Sequence, residues 1–437
     1  MTLRFGTDGL RGVAGTELTA ELTIALGRAA ARVLGGPRFF VARDTRLSSS
    51  WLESALAAGL AAEGCDVELL GVLPTPGLAW HAANEGVPAA MISASHNPFQ
   101  DNGIKLFAAG GTKLRDDVET AVEAGMAAPV EARADVGLVR RRVGADSPYQ
   151  DALVASLGGR MLDGLSVAID CANGAASHIA PVVLEELGCD VEVLAARPDG
   201  VNINADCGST HPANVQAAVV ASHADVGLAY DGDADRVLAV DHKGQLVDGD
   251  HMLAMCAIDL AERGLLTDMT VVVTVMTNLG FRLSMAEHGI RVVETNVGDR
   301  YVLEALEDGG LSLGGEQSGH IIFRELATTG DGVLTGLQVL DLVQRSGRRL
   351  ADLAGAAMTA LPQVLRNVRV AERGIDVSEL IAADVAAVEA ELGDHGRVLI
   401  RPSGTEPLVR VMVEAPTPEL ASSATERLVA AVERVCS

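Results

Sequence analysis

The sequence predicts an α/β protein with three similar α/β domains and a smaller C-terminal domain. Its 437 residues exceed what one hydrophobic core can organise and allow about three or four domains. An internal repeat supports this division, because E-G-C-D-V-E-L-L-G from Glu63 is nearly copied by L-G-C-D-V-E-V-L-A from Leu187, and more loosely from His288. A polar motif follows each copy, at Ser95, Asp231 and Glu316.

Each copy is typical of one structural joint: the end of an amphipathic helix, a glycine cap and a buried strand. Such joints occur in any α/β protein, but the shared letters C-D-V-E favour a true repeat. We expect each of the three domains to deliver one loop to a shared cleft. Turn formers and changes of pattern near Pro148, Gly249 and Pro362 place the domains at residues 1–147, 148–249, 250–362 and 363–437.

A strand followed by a polar turn, M-I-S-A-S-H-N-P-F-Q-D-N-G-I-K-L-F at residues 91–107, presents a candidate nucleophile. Apolar residues run directly into Ser, His, Asn and Pro, an arrangement that exposes a hydroxyl at the end of a buried strand. We predict that Ser95 is the reactive hydroxyl and that His96 supports the loop. An ordinary turn is the alternative, since the same residue types favour turns.

A second motif, A-Y-D-G-D-A-D-R, brings Asp231, Asp233 and Asp235 together at alternate positions, followed by Arg236. Three carboxylates so close repel one another unless a cation or water screens them. Oxygen ligands favour a hard cation, and the absence of full EF-hand spacing favours Mg²⁺ over Ca²⁺. The preceding apolar segment reads as a strand, which places the cluster at a strand's carboxyl end. A solvated acidic turn is the alternative.

Two further segments carry polar groups between glycines or arginines. In L-G-G-E-Q-S-G-H at residues 313–320, Glu316, Gln317, Ser318 and His320 can read the hydroxyls or amine of a sugar, although a Gly-rich hairpin turn with polar side chains is the simpler interpretation of this segment alone. In V-L-I-R-P-S-G-T-E-P-L-V-R-V-M-V-E at residues 398–414, two strands flank a loop suited to binding an anion. Its proposed phosphate ligands are Arg401, Ser403, Gly404, Thr405 and Arg410, and a hairpin with incidental arginines is the alternative.

Read in order with F-G-T-D-G-L-R-G at residues 5–12, these motifs resemble those of the α-D-phosphohexomutase superfamily along the whole chain. Within it, G-E-Q-S-G-H and the segments at 198–212, 296–302 and 328–332 are similar to the bacterial phosphoglucosamine mutase branch. A small departure is the serine run at 48–50, where relatives often carry a glycine. The resemblance implies three α/β domains with mixed sheets plus a smaller C-terminal α+β domain around a central cleft.

The resemblance also implies a reaction, the interconversion of glucosamine 6-phosphate and glucosamine 1-phosphate on the route to UDP-N-acetylglucosamine and the cell wall. The two sugar oxygens are too far apart for direct transfer, so a phosphoserine at Ser95 is expected to carry the phosphoryl group. A bisphosphate intermediate turns around in the cleft between two transfers. The expected activator is glucosamine 1,6-bisphosphate or glucose 1,6-bisphosphate.

Roles follow for the motif residues. Mg²⁺ is expected on Asp231, Asp233, Asp235 and an oxygen of phosphorylated Ser95, with Arg236 as a second positive partner. Lys105 and His320 match family positions near the transferred group and are the candidates for acid–base work. Glu316 and Ser318 are the expected sugar ligands, and Arg11 completes the catalytic set.

Composition restricts the partners. A formal net charge of -25 argues against nucleic acid, whose binding needs a basic face. The sugar-phosphate substrate implied by the resemblance is also anionic, so the positive charge that binds it must be confined to the cleft. The cations in or beside the motifs are Arg11, Lys105, Arg236, Arg300, Arg401 and Arg410. Six cysteines without a C-x-x-C pair, no signal peptide and no long apolar run predict a cytoplasmic enzyme with free thiols that does not cross a membrane. A homodimer is left open.

Several other functions use similar residues. A phosphomannomutase or phosphoglucomutase would share the whole machinery. A metal-dependent sugar phosphatase would need the carboxylates but no phosphoserine. A non-catalytic sugar-phosphate sensor would gain nothing from Ser95 or from the aspartate cluster, so both motifs argue against it.

Overall fold

The computed structural model describes residues 5–6, 9–129, 135–370, 377, 379–402 and 407–436. Contacts within the chain divide it into two compact units, residues 1–276 with 289–357 and residues 277–288 with 358–437. In the described part, the first unit holds three mixed sheets and the second holds an antiparallel sheet.

The first sheet, with seven strands in the described part of the chain, belongs to the N-terminal domain. Its strands are β1 (Phe5–Gly6), β2 (Gly9–Val13), β3 (Arg38–Arg43), β4 (Asp66–Val72), β5 (Ala89–Ile92), β6 (Asp101–Phe107) and β7 (Val139–Arg141). The accompanying helices are α1 (Ala20–Leu34), α2 (Ser49–Ala62), α3 (Thr75–Glu85) and α4 (Asp116–Met126). The strand order is β1-β2-β6-β5-β3-β4-β7. Leu26, Phe39, Leu56 and Ile92 are fully buried in the core between this sheet and its helices.

The second sheet has the order β12-β11-β10-β8-β9. Its elements in chain order are α5 (Asp146–Ala155), β8 (Ser166–Asp170), α6 (Ala180–Glu186), β9 (Asp190–Leu194), α7 (Ala213–Ser222), β10 (Val226–Tyr230), β11 (Val237–Asp241) and β12 (Leu246–Val247). Val215 and Val219 of α7 pack on Ala168, Ala229 and Val240 of the sheet, and all five side chains are fully buried.

The third sheet has the order β14-β13-β15-β16. The elements of this region are α8 (Gly249–Glu262), β13 (Thr270–Thr274), α9 (Leu279–Glu287), β14 (Arg291–Thr295), α10 (Asp299–Gly309), β15 (Leu313–Gly315), β16 (Ile321–Phe323), α11 (Gly332–Ser346) and α12 (Leu350–Ala357). Helix α9 groups with the C-terminal unit, where the Leu279 N–H donates to the Glu414 carboxylate at 3.0 Å.

The C-terminal unit is built on an antiparallel sheet of order β17-β19-β18. Its elements are β17 (Gln363–Arg369), α13 (Ala382–Leu392), β18 (Arg397–Pro402), β19 (Leu408–Glu414) and α14 (Pro418–Cys436). The apolar face of α14 packs on the sheet through Ala424, Leu428 and Val432, which are fully buried. The prediction of three mixed-sheet α/β domains plus a smaller C-terminal domain is therefore confirmed.

The first three sheets share one local pattern that positions the motifs. In each, a strand that pairs in parallel on one side turns back into an antiparallel neighbour: β5 into β6, β10 into β11 and β15 into β16. The Ser95 turn, the aspartate cluster and the Glu316 loop occupy these three turns. Equivalent topology therefore places three polar loops at equivalent ends of three sheets.

The repeated joint is also present. Gly64, Gly188 and Gly289 stand between a helix and a strand, and their φ angles of 88°, 89° and 67° lie in the left-handed region that favours glycine. The expectation that a buried strand follows each joint is wrong for two copies. Strands β9 and β14 are sheet edges, so their residues are half-buried or exposed.

The six cysteines are free, and five of them are buried. Among the helices within the described ranges, none has the length and apolar character needed to cross a bilayer.

Candidate active site

The Ser95 turn holds its hydroxyl against the aspartate cluster of the second domain. Ser95 is 1% exposed and adopts a left-handed φ of 52°. Its Oγ donates to Asp231 Oδ2 at 2.5 Å and lies 3.3 Å from His96 Nδ1. The Ser95 N–H donates to Ser93 Oγ at 2.9 Å, which fixes the turn from within. The two motifs that the sequence singled out first are therefore in direct contact.

The three carboxylates of the cluster are almost completely buried, and their oxygens lie within 4.8 Å of one another. Asp233 Oδ2 accepts from Thr75 Oγ1 at 2.6 Å and from Lys105 Nζ at 2.8 Å. Lys105 Nζ also donates to Asp235 Oδ2 at 3.2 Å. A protein ammonium thus occupies the side of the cluster that faces the first domain.

Burial and neighbouring charges shift the pKa values of Asp231 and Asp235 in opposite directions. Burial raises the pKa of Asp231 well above its usual range, and the negative charges of Asp235 and Asp233 add to the effect. Burial also opposes ionisation of Asp235, but Lys105, His320 and Arg236 outweigh it and hold the pKa of Asp235 well below its usual range. The cluster is therefore short of positive charge at Asp231, beside the Ser95 hydroxyl.

The cluster fits a divalent cation. Asp233 Oδ1 and Asp235 Oδ1 are buried and make no hydrogen bond to any residue in the described ranges. Asp235 Oδ1 has Arg236 Nε 3.8 Å away, but a buried carboxylate oxygen that accepts no hydrogen bond is still costly, which favours a further positive partner. Carboxylate oxygens are also the ligands that Mg²⁺ prefers. Asp231, Asp233 and Asp235 could hold such an ion together.

Arg236 and His96 lie on the open side of the turn. Arg236 Nη1 is 3.3 Å from His96 Nδ1, and the Arg236 N–H donates to Asp231 Oδ1 at 3.2 Å. Burial lowers the pKa of His96, and the charges of Arg236 and Arg11 lower it further. His96 is therefore suited to a neutral, supporting role beside Ser95, and Arg11 lies close enough to act on the same ring.

His320 stands behind Asp235. Its Nδ1 is 3.8 Å from Asp235 Oδ2, and its Nε2 accepts the Gly330 N–H at 3.0 Å. Because Nε2 accepts, the neutral ring carries its proton on Nδ1, facing Asp235. Asp299 Oδ2 lies 3.7 Å from Nε2, so Asp235, Asp299 and His320 form a second group of potential ligands. His320 is itself buried and lies beside the aspartate cluster on the Asp235 side.

The predicted sugar-binding loop follows β15. Glu316 is buried, its Oε1 accepts the Gly298 N–H at 3.3 Å, and burial raises its pKa. Gln317 Nε2 donates to Asp248 Oδ2 at 3.3 Å, which turns this amide toward the start of α8. Ser318 is partly exposed. Gln317 is thus held at the start of α8, whereas the side chains of Glu316 and Ser318 make no such contact with that helix.

Arg300 serves a different contact from the one expected. Its Nη2 donates to Glu119 Oε2 of α4 at 2.7 Å, and it also pairs with Asp116. The neighbouring Asp299 pairs with Lys113. These ion pairs link α10 to the first domain, so the Arg300 charge is used within the protein.

The C-terminal arginines face each other across a strand pair. Arg401 of β18 and Arg410 of β19 are register partners. Burial lowers the pKa of Arg401, and the charge of Arg410 lowers it further. Two like charges directly opposite are unfavourable unless an anion joins them. Ser403, Gly404 and Thr405 lie outside the described residues.

Sequence reasoning missed several residues that hold these loops. Thr75 at the start of α3 binds Asp233, while Asp44, Arg46 and Asn204 hold the Ser95 turn. The signals were present, because D-T-R-L-S-S-S at residues 44–50 and the segment at 198–212, with its Asp, Gly, Asn and Pro residues, stand out as polar turns between apolar elements. The serine run has a clear use here: Ser49 Oγ donates to Asp44 Oδ1 at 2.7 Å.

Comparison with known families matches almost the whole chain. The three α/β/α domains of the phosphoglucomutase/phosphomannomutase family match residues 2–133, 147–244 and 248–361, and its C-terminal domain matches residues 365–431.

Individual relatives agree. The phosphoglucosamine mutase of Frankia alni is 56% identical, covering 99% of this chain and 98% of the relative, and that of Rhodococcus jostii is 52% identical with 99% of both covered. A phosphoglucomutase/phosphomannomutase family protein from Burkholderia thailandensis has a similar crystal structure. Its TM-score is 0.82 at 25% identity, covering 99% of this chain and 97% of that chain.

Proposed function

Because the chain belongs to the phosphoglucomutase/phosphomannomutase family, we propose that it is a phosphoglucosamine mutase that interconverts glucosamine 6-phosphate and glucosamine 1-phosphate. The observation that carries the proposal is the 2.5 Å contact between Ser95 Oγ and Asp231 Oδ2, which joins a candidate phosphoryl carrier to a candidate cation site. Relatives that are 56% and 52% identical over nearly their full length bear that name, which supports the choice of sugar.

The chemistry is a pair of phosphoryl transfers. In the first, the bond between phosphorus and Ser95 Oγ breaks as phosphorus bonds to the free sugar hydroxyl, whose proton leaves to a base. The bisphosphate then reorients, and its other phosphate returns to Ser95. Lys105 and His320 are the proposed acid–base groups, and Arg236 and Arg11 are proposed to balance phosphoryl charge.

A divalent cation belongs to this proposal. The family is metal dependent, and the aspartate cluster can hold an ion. We propose Mg²⁺ bound by Asp231, Asp233, Asp235 and an oxygen of phosphorylated Ser95. The ion would neutralise charge on the transferring group. The chain's own residues bring the carboxylates to the carrier and keep them buried.

Substrate binding is divided between two loops. Glu316 and Ser318 are proposed to contact the sugar, and Arg401, Ser403, Gly404, Thr405 and Arg410 the phosphate that does not react. The domain boundaries proposed with these roles are residues 1–147, 148–249, 250–362 and 363–437. A glucosamine or glucose 1,6-bisphosphate would keep Ser95 phosphorylated, and free buried thiols support a cytoplasmic location.

The decisive experiment combines a carrier variant with mass spectrometry. Ser95→Ala removes the carrier oxygen without altering backbone packing, so we expect a folded protein with less than about a tenth of wild-type turnover. Intact-protein mass spectrometry of the wild type should show one added phosphate after exposure to glucose 1,6-bisphosphate, and none in Ser95→Ala. A Ser95→Ala variant that keeps more activity than this would refute the carrier role.

Two alternatives lead to different results. A phosphomannomutase or phosphoglucomutase, which the Burkholderia thailandensis family member favours at lower identity, would prefer mannose or glucose phosphates in a substrate panel. A metal-dependent phosphatase would release inorganic phosphate and carry no phosphoserine. The panel and the mass measurement therefore separate all three.

A further inference from the structure

The polar segment at residues 198–212 packs against the loop that supports Ser95. The Leu47 N–H donates to the Gly200 carbonyl at 2.8 Å, and Thr45 Oγ1 donates to the Asn173 carbonyl at 2.6 Å. Asp199 Oδ1 accepts the N–H groups of Val201 and Asn202, which shapes the segment into a tight turn. The second domain therefore builds a rigid loop directly on the first domain.

Asn204, at the end of that turn, reaches the carrier loop itself. Its Nδ2 donates to the Ser95 carbonyl at 2.9 Å and to the Asn97 carbonyl at 3.0 Å. The side chain is 7% exposed, and its φ of 57° is left-handed, a conformation that asparagine tolerates better than most residues. Its own N–H donates to the Ala172 carbonyl at 2.9 Å, so the backbone that carries the amide is held as well.

Arg46 of the first domain donates to the same two carbonyls. Its Nη2 lies 2.9 Å from the Ser95 oxygen and 2.8 Å from the Asn97 oxygen, and its Nε is held by Asp44 Oδ2 at 2.8 Å. Each carbonyl therefore receives one donor from each domain. This double contact spans the residue whose hydroxyl faces Asp231.

We propose that Asn204 is a positioning residue that aims the Ser95 hydroxyl at the aspartate cluster by holding the Ser95 and Asn97 carbonyls from the second domain. The inference rests on the proposed function, because it assigns Asn204 to the phosphoryl carrier step. Ser95 is held in a left-handed conformation that a serine adopts only when its surroundings impose it. A carrier displaced by about 1 Å from its in-line position loses on the order of a hundred-fold in rate.

The test uses Asn204→Ala and Asn204→Asp. Alanine removes the amide, and aspartate keeps its size while placing oxygen against the two carbonyls. Arg46 still donates to both carbonyls in each variant, so the protein should stay folded, although alanine tolerates the left-handed φ less well than asparagine and should lower the melting temperature modestly. We expect kcat and the single-turnover rate of Ser95 phosphorylation by glucose 1,6-bisphosphate to fall at least about ten-fold, with KM for glucosamine phosphate within about two-fold of wild type. Asn204→Asp should lose at least as much.

Asn84→Ala is the matched control, because Asn84 Nδ2 also donates to a backbone carbonyl, that of Trp80, on an exposed face of α3. Its phosphorylation rate should equal that of the wild type. If Asn204→Ala is phosphorylated at the wild-type rate, or loses activity only in proportion to its folded fraction, the positioning role is wrong. If the wild type itself never becomes phosphorylated on Ser95, the proposed function fails, and the role of Asn204 fails with it.

Discussion

At the residue scale, Glu316 is the side chain proposed to read the sugar. Burial raises the pKa of its carboxyl even though the Gly298 N–H, His320 and Arg236 favour its charged form, so a further positive partner would stabilise that form. The ammonium group of glucosamine can supply that partner through a charge-assisted hydrogen bond, whereas the hydroxyl of glucose cannot supply charge. We therefore propose that Glu316 determines the preference for an amino sugar.

Glu316→Gln tests this at the residue scale. Glutamine keeps the shape but not the charge, so kcat/KM for glucosamine 6-phosphate should fall about ten-fold more than kcat/KM for glucose 6-phosphate. Ser318→Ala is the control in the same loop and should affect both sugars alike. Equal losses for both sugars in Glu316→Gln would show that this carboxylate does not recognise the amine.

Gly232 determines how closely the two catalytic loops approach. A Cβ atom at this position would lie 2.5 Å from the Ser95 carbonyl oxygen and 3.0 Å from Asn204 Nδ2. Gly232→Ala should therefore displace the Ser95 turn, reduce turnover at least about ten-fold and lower the melting temperature by several degrees. Gly355→Ala, on α12 with no atom within 4 Å of the added carbon, should leave turnover unchanged. A fully active Gly232→Ala would mean that the loops can separate without cost.

At the scale of elements, Asp331 caps the N-terminus of α11 and makes the stability of the protein depend on pH. Asp331 Oδ1 accepts the Leu334 N–H at 2.9 Å, and Oδ2 accepts from Tyr149 Oη at 2.8 Å. Burial raises the pKa of Asp331 to about 6, although these hydrogen bonds oppose the effect. The folded state therefore binds this proton more tightly than the unfolded chain, whose aspartates have a pKa near ~3.9.

The raised pKa of Asp331 makes its contribution to the free energy of unfolding decrease as the pH rises. The contribution of Asp331 to stability is fully present below about pH 4 and is lost as the pH rises through about 6. Asp331→Asn keeps an oxygen for the Leu334 N–H but cannot ionise. Its free energy of unfolding, relative to wild type, should therefore rise by on the order of 2 kcal/mol between pH 4 and 7 in urea denaturation experiments.

Thr19→Ala is the control for that measurement. Thr19 caps α1 through a hydroxyl, which accepts the Leu22 N–H at 3.2 Å, so its loss should destabilise the protein equally at both pH values. A difference between Asp331→Asn and wild type that does not change with pH would contradict the raised pKa of Asp331.

At the scale of the whole molecule, the C-terminal unit carries the paired Arg401 and Arg410. If these arginines hold the phosphate that does not react, they contact substrate, intermediate and product alike. Arg410→Ala should then raise KM and let the bisphosphate escape before its return transfer, which leaves Ser95 unphosphorylated. Its activity should depend more strongly on added glucose 1,6-bisphosphate than that of wild type, as a titration of the activator would show.

Arg427→Ala provides the comparison, because Arg427 belongs to the same unit but forms an exposed ion pair with Glu391. Its activator dependence should match wild type. If Arg410→Ala loses activity that extra bisphosphate does not restore, and its KM is unchanged, the strand pair has only a structural role.

The sequence by itself determined the fold class, the repeated joints and the identity of the motifs. These depend on local properties: Gly64, Gly188 and Gly289 mark helix ends because only glycine adopts their left-handed φ without strain. Apolar runs likewise placed Ser95 and Asp231 at the ends of β5 and β10.

The family resemblance placed Ser95 and the aspartates at one cation, but only the tertiary structure decided which atoms of those groups touch. Ser95 meets Asp231 across 136 residues, Thr75 meets Asp233 across 158, and Asn204 meets the Ser95 carbonyl across 109. A hydrogen bond requires its two atoms at about 3 Å with the correct direction. That geometry depends on how turns from different domains are oriented, which no local pattern of residues specifies. In the sequence, Arg46 and Asn204 are therefore indistinguishable from ordinary turn residues, whereas in the structure both donate hydrogen bonds to carbonyls of the Ser95 loop.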